Sequence, residues 1–188
     1  LTALGLGSCP GVTDAGLEIL RRGTRGGLHA LSARSLHRVT SDGLSMLLQT
    51  STSLLHLELD DCPRLDNTVA SAFAKLPKLR TLSLNSCPNL GNPVVDSIPA
   101  SLCFISLRNM TSLTDDAAIR LWRMGRNLRT ADLSGCIKLT DAAIQPLTKP
   151  IAADAPRLCT LCVASCPLIT PDVLTAAAAA RHGAMAIL

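Results

Sequence analysis

Eight cysteines are the residues of this chain with the most chemistry to offer. Cys159, Cys162 and Cys166 lie closest together, and a Cys-x-x-Cys spacing followed by a third thiol is typical of a zinc site. Side chains on a strand alternate between its two faces, so Cys162 faces outward and Cys166 inward. No histidine is near in sequence to complete a tetrahedron. We therefore predict no metal site and no bound cofactor.

Catalytic patterns are equally weak. The histidines show no spacing to a nucleophile or to metal ligands; they are His29, His37, His56 and His182. Gly5 and Gly7 begin a dinucleotide-like pattern, but Pro10 stands where the third glycine is needed. We predict that the chain is not an enzyme, has no catalytic residues and takes no small-molecule substrate.

Five of the cysteines share one place in a pattern that recurs along the chain: Cys9, Cys62, Cys87, Cys136 and Cys166. The clearest copy runs from Leu128 to Ile144. Apolar residues alternate from Ala131 to Leu133 as in a half-buried strand. Thr140 and Asp141 then offer side-chain oxygens to the free N–H groups at the start of a helix. One unit is therefore a strand, a turn and a helix, with a single apolar side.

Seven copies can be aligned, at intervals of about 26 residues. They begin at Leu1, Leu28, Leu54, Leu79, Leu102, Leu128 and Leu158. Leu36 and Met110 replace the cysteine in the second and fifth copies. A partial copy is expected from Ala184, with Ile187 in its fourth place. We predict one continuous domain over residues 1–188, and both ends suggest a fragment of a longer protein.

The pattern Leu-x-x-Leu-x-Leu-x-x-Cys-x-x-Leu-Thr-Asp resembles the cysteine-containing subclass of leucine-rich repeats, as in the C-terminal repeats of F-box proteins. The resemblance covers nearly the whole chain. It implies an α/β solenoid, a horseshoe with a parallel sheet on the concave side and helices on the convex side. Because each repeat would contact only its neighbours, they must share one apolar core.

Composition agrees with such a core. Hydrophobic residues make up 47% of the chain and aromatic residues only 2%, so the core must be aliphatic side chains and thiols. We expect the repeated cysteines to stack as buried thiols that donate to backbone carbonyls. Free thiols indicate a reducing compartment, the cytoplasm or nucleus. No apolar run is long enough for a transmembrane helix, so no membrane partner is expected.

The concave face is the most informative surface. Side chains that alternate with the inward-facing leucines project from the concave face of the sheet. Arg34 is expected near Asp60, and Arg108 near Asp132, with Phe104 as an exposed aromatic anchor. One interpretation is that these residues only solubilise the sheet. The other is a protein-binding strip composed of Arg34, His56, Glu58, Asp60, Ser83, Asn85, Phe104, Arg108 and Asp132.

Arg120, Arg123 and Arg126 recur at helical spacing around Trp122. They predict either a solvated convex face or a patch for an anionic partner. The net charge is only +4, and the scarcity of aromatic residues does not favour base stacking. Nucleic acid is therefore not the expected partner.

Three hypotheses for function remain. The resemblance favours the substrate-recognition repeats of an F-box-type ubiquitin ligase receptor, which would bind a ligase adaptor only if an F-box lies outside this sequence. A second hypothesis is a rigid structural subunit of a large assembly, such as an axonemal or mitochondrial complex. A third is a nuclear DNA-repair or transcription partner.

Overall fold

The computed structural model describes residues 2–124, 127–149, 158–181 and 185–188. Within these ranges eight parallel strands form one sheet in chain order. They are β1 Ala3–Gly5, β2 Ala30–Ser32, β3 His56–Glu58, β4 Thr81–Ser83, β5 Phe104–Ser106, β6 Thr130–Asp132, β7 Thr160–Cys162 and β8 Ala186–Ile187. Residues 1, 125–126, 150–157 and 182–184 lie outside the described residues, and they include Leu1, Arg126, His182 and Ala184 of the sequence predictions.

A helix follows each of the first seven strands and packs on the other side of the sheet. The helices are α1 Asp14–Thr24, α2 Ser41–Thr50, α3 Ala70–Phe73, α4 Asn92–Asp96, α5 Asp115–Met124, α6 Asp141–Ile144 and α7 Pro171–Ala180. Short 3-10 turns at Asn67–Val69 and Gln145–Thr148 extend α3 and α6. This strand–helix alternation around one parallel sheet confirms the predicted leucine-rich-repeat solenoid.

The strand register aligns the repeats residue for residue. The fourth place of every repeat, counted from its first leucine, pairs with the fourth place of the next. These residues are Leu4, Leu31, Leu57, Leu82, Ile105, Ala131, Leu161 and Ile187. From Leu31 to Leu161 they are almost fully buried, and they form the centre of one aliphatic core.

The repeated thiols stack inside this core. Cys87 donates to the carbonyl oxygen of Leu59, and Cys136 to that of Leu107, each at 3.2 Å. Cys62 and Cys166 make the equivalent bond to the preceding repeat. Cys9 is the exception: it is exposed, and its thiol reaches only Gly7 of its own repeat. The expectation that all five thiols are buried was therefore wrong for Cys9.

Asp141, at the fourteenth place of its repeat, does not cap its own helix as the sequence predicted. Thr140 accepts from the N–H of Ala142 and so caps its own helix, as expected. Asp141 instead accepts from the N–H and the hydroxyl of Thr170 in the next repeat, at 2.7 and 2.9 Å. Asp141 was wrongly expected to cap its own helix, because its carboxylate reaches the neighbouring chain segment instead.

This bond recurs at every junction from the first repeat to the seventh, and we call the series the polar ladder. In each case a side-chain oxygen at the fourteenth place accepts the N–H of the thirteenth place in the next repeat. The accepting residues are Asp14, Ser41, Asn67, Asn92, Asp115 and Asp141. The ladder therefore joins helix starts that would otherwise leave backbone N–H groups unpaired.

In each of the first seven repeats, one residue in the turn after the strand has a left-handed backbone conformation. The eighth place has a φ of 55° at Asp61 and Ser86, and of 74° at Gly135. Ser8, Ser35, Asn109 and Ser165 adopt the same conformation. The N–H of Asp61 donates to the carbonyl of Asn85, and that of Ser86 to the carbonyl of Arg108, each at 2.8 Å. The strained residue thus extends the pairing between repeats beyond the strands.

The helix α5 departs from the sequence interpretation. Trp122, expected among solvated arginines, is 3% exposed and donates its indole N–H to the carbonyl of Ala143 at 2.8 Å. It therefore packs between the fifth and sixth repeats. Arg120 is on the exposed side, where both oxygens of Asp96 accept from it at 2.6 Å.

Candidate protein-binding face

The concave face consists of the outward residues of eight short strands and of the second residue after each of the first seven. Three places of each repeat, the third, fifth and seventh, point away from the core. The nine residues predicted for partner binding all lie at these places in repeats two to six, and we call them the concave strip: Arg34, His56, Glu58, Asp60, Ser83, Asn85, Phe104, Arg108 and Asp132. The register places them in three adjacent rows.

Asp60 holds two repeats together at the centre of the strip. Its carboxylate accepts from the hydroxyl of Ser83 at 2.6 Å and from the backbone N–H of Asn85 at 3.0 Å. The side-chain amide of Asn85 also donates to it, at 3.3 Å. Only 15% of the Asp60 side chain is exposed. Its main role is therefore to fix the fourth strand against the third.

Asn85 repeats this arrangement one unit further on. Its amide oxygen accepts from the hydroxyl of Ser106 at 2.7 Å and from the N–H of Arg108 at 2.8 Å. Ser83 is buried and donates to Asp60, so it positions its neighbours but offers little surface to a partner. In the row beside them, Glu58 accepts from the hydroxyl of Ser32 at 2.7 Å.

The two predicted charge pairs are present but loosely formed. Arg34 Nε lies 3.6 Å from Asp60 Oδ2, and Arg108 Nε lies 3.8 Å from Asp132 Oδ2. Each arginine side chain is 57% exposed, whereas Asp132 is 18% exposed. Solvated ion pairs at this separation contribute little to stability. Both guanidinium groups therefore keep most of their donors available to a partner.

The exposed part of the strip is smaller than the predicted set. His56 and Phe104 are exposed with the two arginines, and the Nδ1 of His56 lies 3.0 Å from the hydroxyl of Thr81. Glu58, Asp60, Asn85 and Asp132 are half-buried and bonded to neighbouring repeats or ion-paired. The structure thus divides the strip into four outward side chains and a bonded layer beneath them.

Two hollows border these side chains. One, with a volume of about 420 Å³, lies over the first repeats, where Ala3, Gly5 and Ala30 leave space beside His56 and Glu58. The other, about 260 Å³, lies between Arg34 and Arg108 at the strand ends. Asp61 and Asn109 line the second hollow and were absent from the predicted strip, because the eighth place lies in the turn after the strand.

The cysteines at the far end of the sheet do not converge. Cys159 is exposed, Cys162 is half-buried, and Cys166 is buried with its thiol on the Leu133 carbonyl. Burial raises the pKa of the Cys162 thiol, and the nearby Asp132 carboxylate raises it further. In the described ranges no group of three or more histidine, cysteine or acidic side chains is arranged to hold a metal ion.

Among the described helices, none combines the length and the apolar character needed to cross a bilayer.

The repeated strand–helix units and the parallel sheet define an α/β leucine-rich-repeat solenoid.

Comparison with solved structures agrees with this class. The chain is similar to one chain in the crystal structure of the Rad7 and Elc1 complex in yeast, with a TM-score of 0.57 and 16% sequence identity. The match covers 94% of this chain and 58% of that one, so this chain spans little more than half the length of that protein. At such identity the likeness concerns the fold alone.

A second similar structure is the leucine-rich repeat-containing protein LegL7 from Legionella pneumophila. Its TM-score is 0.40 and its identity 13%, with 98% of this chain and 80% of that chain covered. A TM-score this low supports no conclusion. No protein-family model matches the chain.

Proposed function

We propose that this chain is a non-enzymatic protein-interaction module that binds its partner on the concave strip. The observation that carries the proposal is the division within the strip. Arg34, His56, Phe104 and Arg108 project from a layer whose polar groups are already bonded between repeats. Arginine and aromatic side chains on a rigid support are the residue types that dominate binding energy at protein interfaces.

The geometry favours a polypeptide partner over a small molecule. The exposed side chains are spread over four neighbouring strands, β2 to β5, which at about 4.8 Å per strand corresponds to about 14 Å across the sheet. The hollows beside them are open and separate. Since the half-buried layer is held by bonds between repeats, that layer would need little further ordering on binding, which favours affinity.

We further propose that the module is the substrate-recognition region of an F-box-type ubiquitin ligase receptor in a reducing compartment, the cytoplasm or nucleus. The repeat motif, with cysteine at its ninth place, supports the receptor assignment by resemblance. In the described residues, which include all eight cysteines, no disulfide joins any of them, and this supports the compartment. A rigid structural subunit is the alternative, and would be favoured by a partner that covers both faces.

Reversal of the two arginines tests the proposal. The double variant Arg34→Glu with Arg108→Glu should weaken partner capture about tenfold or more. The new carboxylates would repel the anionic groups of the partner that the two arginines contact. The matched control is Arg38→Glu with Arg64→Glu, which reverses two exposed cations outside the strip. Quantitative mass spectrometry of proteins captured from lysate by wild type and both variants is the measurement.

Equal recovery by wild type and the strip variant would overturn the concave-face proposal. The receptor assignment has a separate readout. Full-length protein should copurify with a ubiquitin ligase adaptor, and a full reading frame without an F-box would contradict that assignment while leaving the strip untouched.

A further inference from the structure

The first three repeats leave a hollow on the concave face that the strip residues do not fill. Its floor is small or apolar: Ala3, Gly5 and Ala30 line it together with Leu4 and Leu31. A Cβ built at Gly5 would have no heavy atom within 4 Å apart from its chain neighbours, so no side chain occupies the space above it. The volume of about 420 Å³ is in the range of ligand sites, about 300–1,000 Å³.

One wall of this hollow carries an acidic group. Glu58 and His56 line it from the third repeat, on the side away from β1. Glu58 is half-buried, and its Oε2 accepts from the hydroxyl of Ser32 at 2.7 Å. The Nδ1 of His56 lies 3.0 Å from the hydroxyl of Thr81, so this ring is bonded to the fourth repeat and not to the carboxylate.

Glu58 differs from the other two carboxylates of the strip because it has no cation beside it. Asp60 lies 3.6 Å from Arg34, and Asp132 lies 3.8 Å from Arg108. Among the described residues, no lysine, arginine or histidine nitrogen lies within 4 Å of the Glu58 carboxylate. A half-buried charge is partly desolvated, and one bond to a neutral hydroxyl offsets only part of that cost. A partner that supplies a cation here would offset the rest.

We propose that this hollow, which we call the acidic hollow, binds a lysine or arginine side chain of the polypeptide partner. The aliphatic stem of such a side chain lies over Ala3, Gly5 and Ala30, and its charged head pairs with Glu58. Lysine and arginine combine these two properties, because their stems cover apolar surface while their heads keep polar contacts. The inference rests on the proposed function, since it names one residue class of the partner that binds the concave strip.

The charge of Glu58 favours a cationic occupant over other side chains. An apolar side chain would displace water from the carboxylate without replacing its interactions, which is costly. An acidic side chain would be repelled. The chain carries a net charge of +4, so general electrostatic attraction favours acidic partners. A preference for a cation at one place of the partner would therefore be a local property of the acidic hollow.

The test begins with a displayed library of random peptides of about twelve residues, which span about 40 Å when extended and so can cross the whole sheet. Wild type should enrich peptides that share lysine or arginine at one place. The most enriched peptide is then labelled and measured by fluorescence anisotropy. A second peptide has norleucine in place of the shared cation, which keeps the stem and removes the charge.

Two matched pairs of protein variants locate the effect. Glu58→Gln keeps an acceptor for Ser32 and removes the charge, and Asp116→Asn removes the same charge from an exposed residue in the first turn of α5. Gly5→Leu fills the acidic hollow. Gly7→Leu adds the same side chain to the same face, also in open space, but Gly7 does not line the hollow.

Glu58→Gln and Gly5→Leu should each bind the cationic peptide at least about tenfold more weakly than wild type. Both controls should stay within about twofold of wild type. The norleucine peptide should bind wild type as weakly as the cationic peptide binds Glu58→Gln, and it should lose little more in that variant, because the pair is already broken. Circular dichroism melts of each variant establish that it is folded.

Equal binding by Glu58→Gln and wild type, or equal weakening by Gly5→Leu and Gly7→Leu, would overturn this inference. Enrichment of an apolar or acidic residue in place of the cation would also overturn it. In each case the concave-face proposal stands if Arg34→Glu with Arg108→Glu still weakens binding of the selected peptide. Failure to enrich any peptide that depends on Glu58 or on the two arginines would reject both.

Discussion

The first repeat and the fourth carry the same motif, yet their side chains have different surroundings. Cys9 is exposed and Leu6 is half-buried, whereas Cys87 and Leu84 at the same places are fully buried. The fourth repeat has neighbours on both sides, and β1 is paired only with β2 in the described sheet. Each repeat therefore supplies one apolar side, and its side chains become fully buried only where repeats on both sides cover them.

The largest expected difference comes from the leucines at the sixth place. Leu84→Ala should lower the free energy of unfolding by about 2–5 kcal/mol, because it leaves a cavity in a fully packed site. Leu6→Ala removes the same atoms from a half-buried site and should cost about 1 kcal/mol. Denaturant unfolding of both variants measures the difference, and equal losses would contradict the proposed dependence on neighbours.

The polar ladder gives the next prediction. Asp115→Ala removes the acceptor of both the N–H and the hydroxyl of Thr140, at 2.8 and 2.7 Å, and should cost about 1–3 kcal/mol. Asp116→Ala is the control: it lies beside Asp115 in the first turn of α5 but is exposed, so only a helix-dipole interaction of about 0.3–1 kcal/mol is lost. Thermal or denaturant unfolding distinguishes the two.

A conservative change sharpens the same test. Asn92 occupies this place in the fourth repeat and keeps the bond to the next repeat through its amide oxygen. Asp115→Asn should therefore retain most of the stability of the wild type. If Asn and Ala at position 115 destabilise the protein equally, the carboxylate charge matters and the ladder bond does not.

The smallest effect is on reactivity, with no change in fold. Burial raises the pKa of the Cys87 and Cys136 thiols to about 12. Since the thiolate is the reactive form, both should resist alkylation at pH 8, and should stay protonated in the folded protein until the pH approaches 12. Cys9 and Cys159 are exposed and should be labelled before either of them. Peptide mapping by mass spectrometry gives the order of labelling.

The raised thiol pKa also has a consequence for stability. In the unfolded chain these thiols lose their protons near pH 9.0, whereas in the folded chain they keep them to about pH 12. Their contribution is therefore complete below pH 9 and is lost as the pH rises toward 12. Denaturant unfolding at increasing pH should show this loss, and Cys87→Ala should make it smaller.

The sequence predicts the features that depend on one repeat. The alternation around Ala131 and Leu133 places the strand, and Thr140 marks the helix start, as the structure confirms. The fold class follows from seven such units in register. The exposure of Phe104 follows from its place in the repeat as well. The Arg34–Asp60 and Arg108–Asp132 pairs join two repeats, but they could be predicted because the repeat register alone sets which strand positions are adjacent.

Features that depend on the detailed positions of groups in the next repeat could not be predicted in this way. Asp141 looks like a cap for its own helix until the position of Thr170 is known. Trp122 lies in an arginine-rich segment, but its burial depends on the Ala143 carbonyl of the next repeat. The layer beneath the strip escaped prediction because Asp60 and Asn85 reach forward to backbone groups whose directions are fixed only by the turn.

Trp122 gives the molecule a built-in optical probe. The chain has one tryptophan and no tyrosine, so its near-ultraviolet fluorescence comes from a single indole. That indole is buried between the fifth and sixth repeats, and it donates a hydrogen bond to the carbonyl of Ala143. A red shift in its emission during unfolding would therefore report when these two repeats separate. Comparison with circular dichroism would show whether all repeats unfold together or whether unfolding begins at the ends.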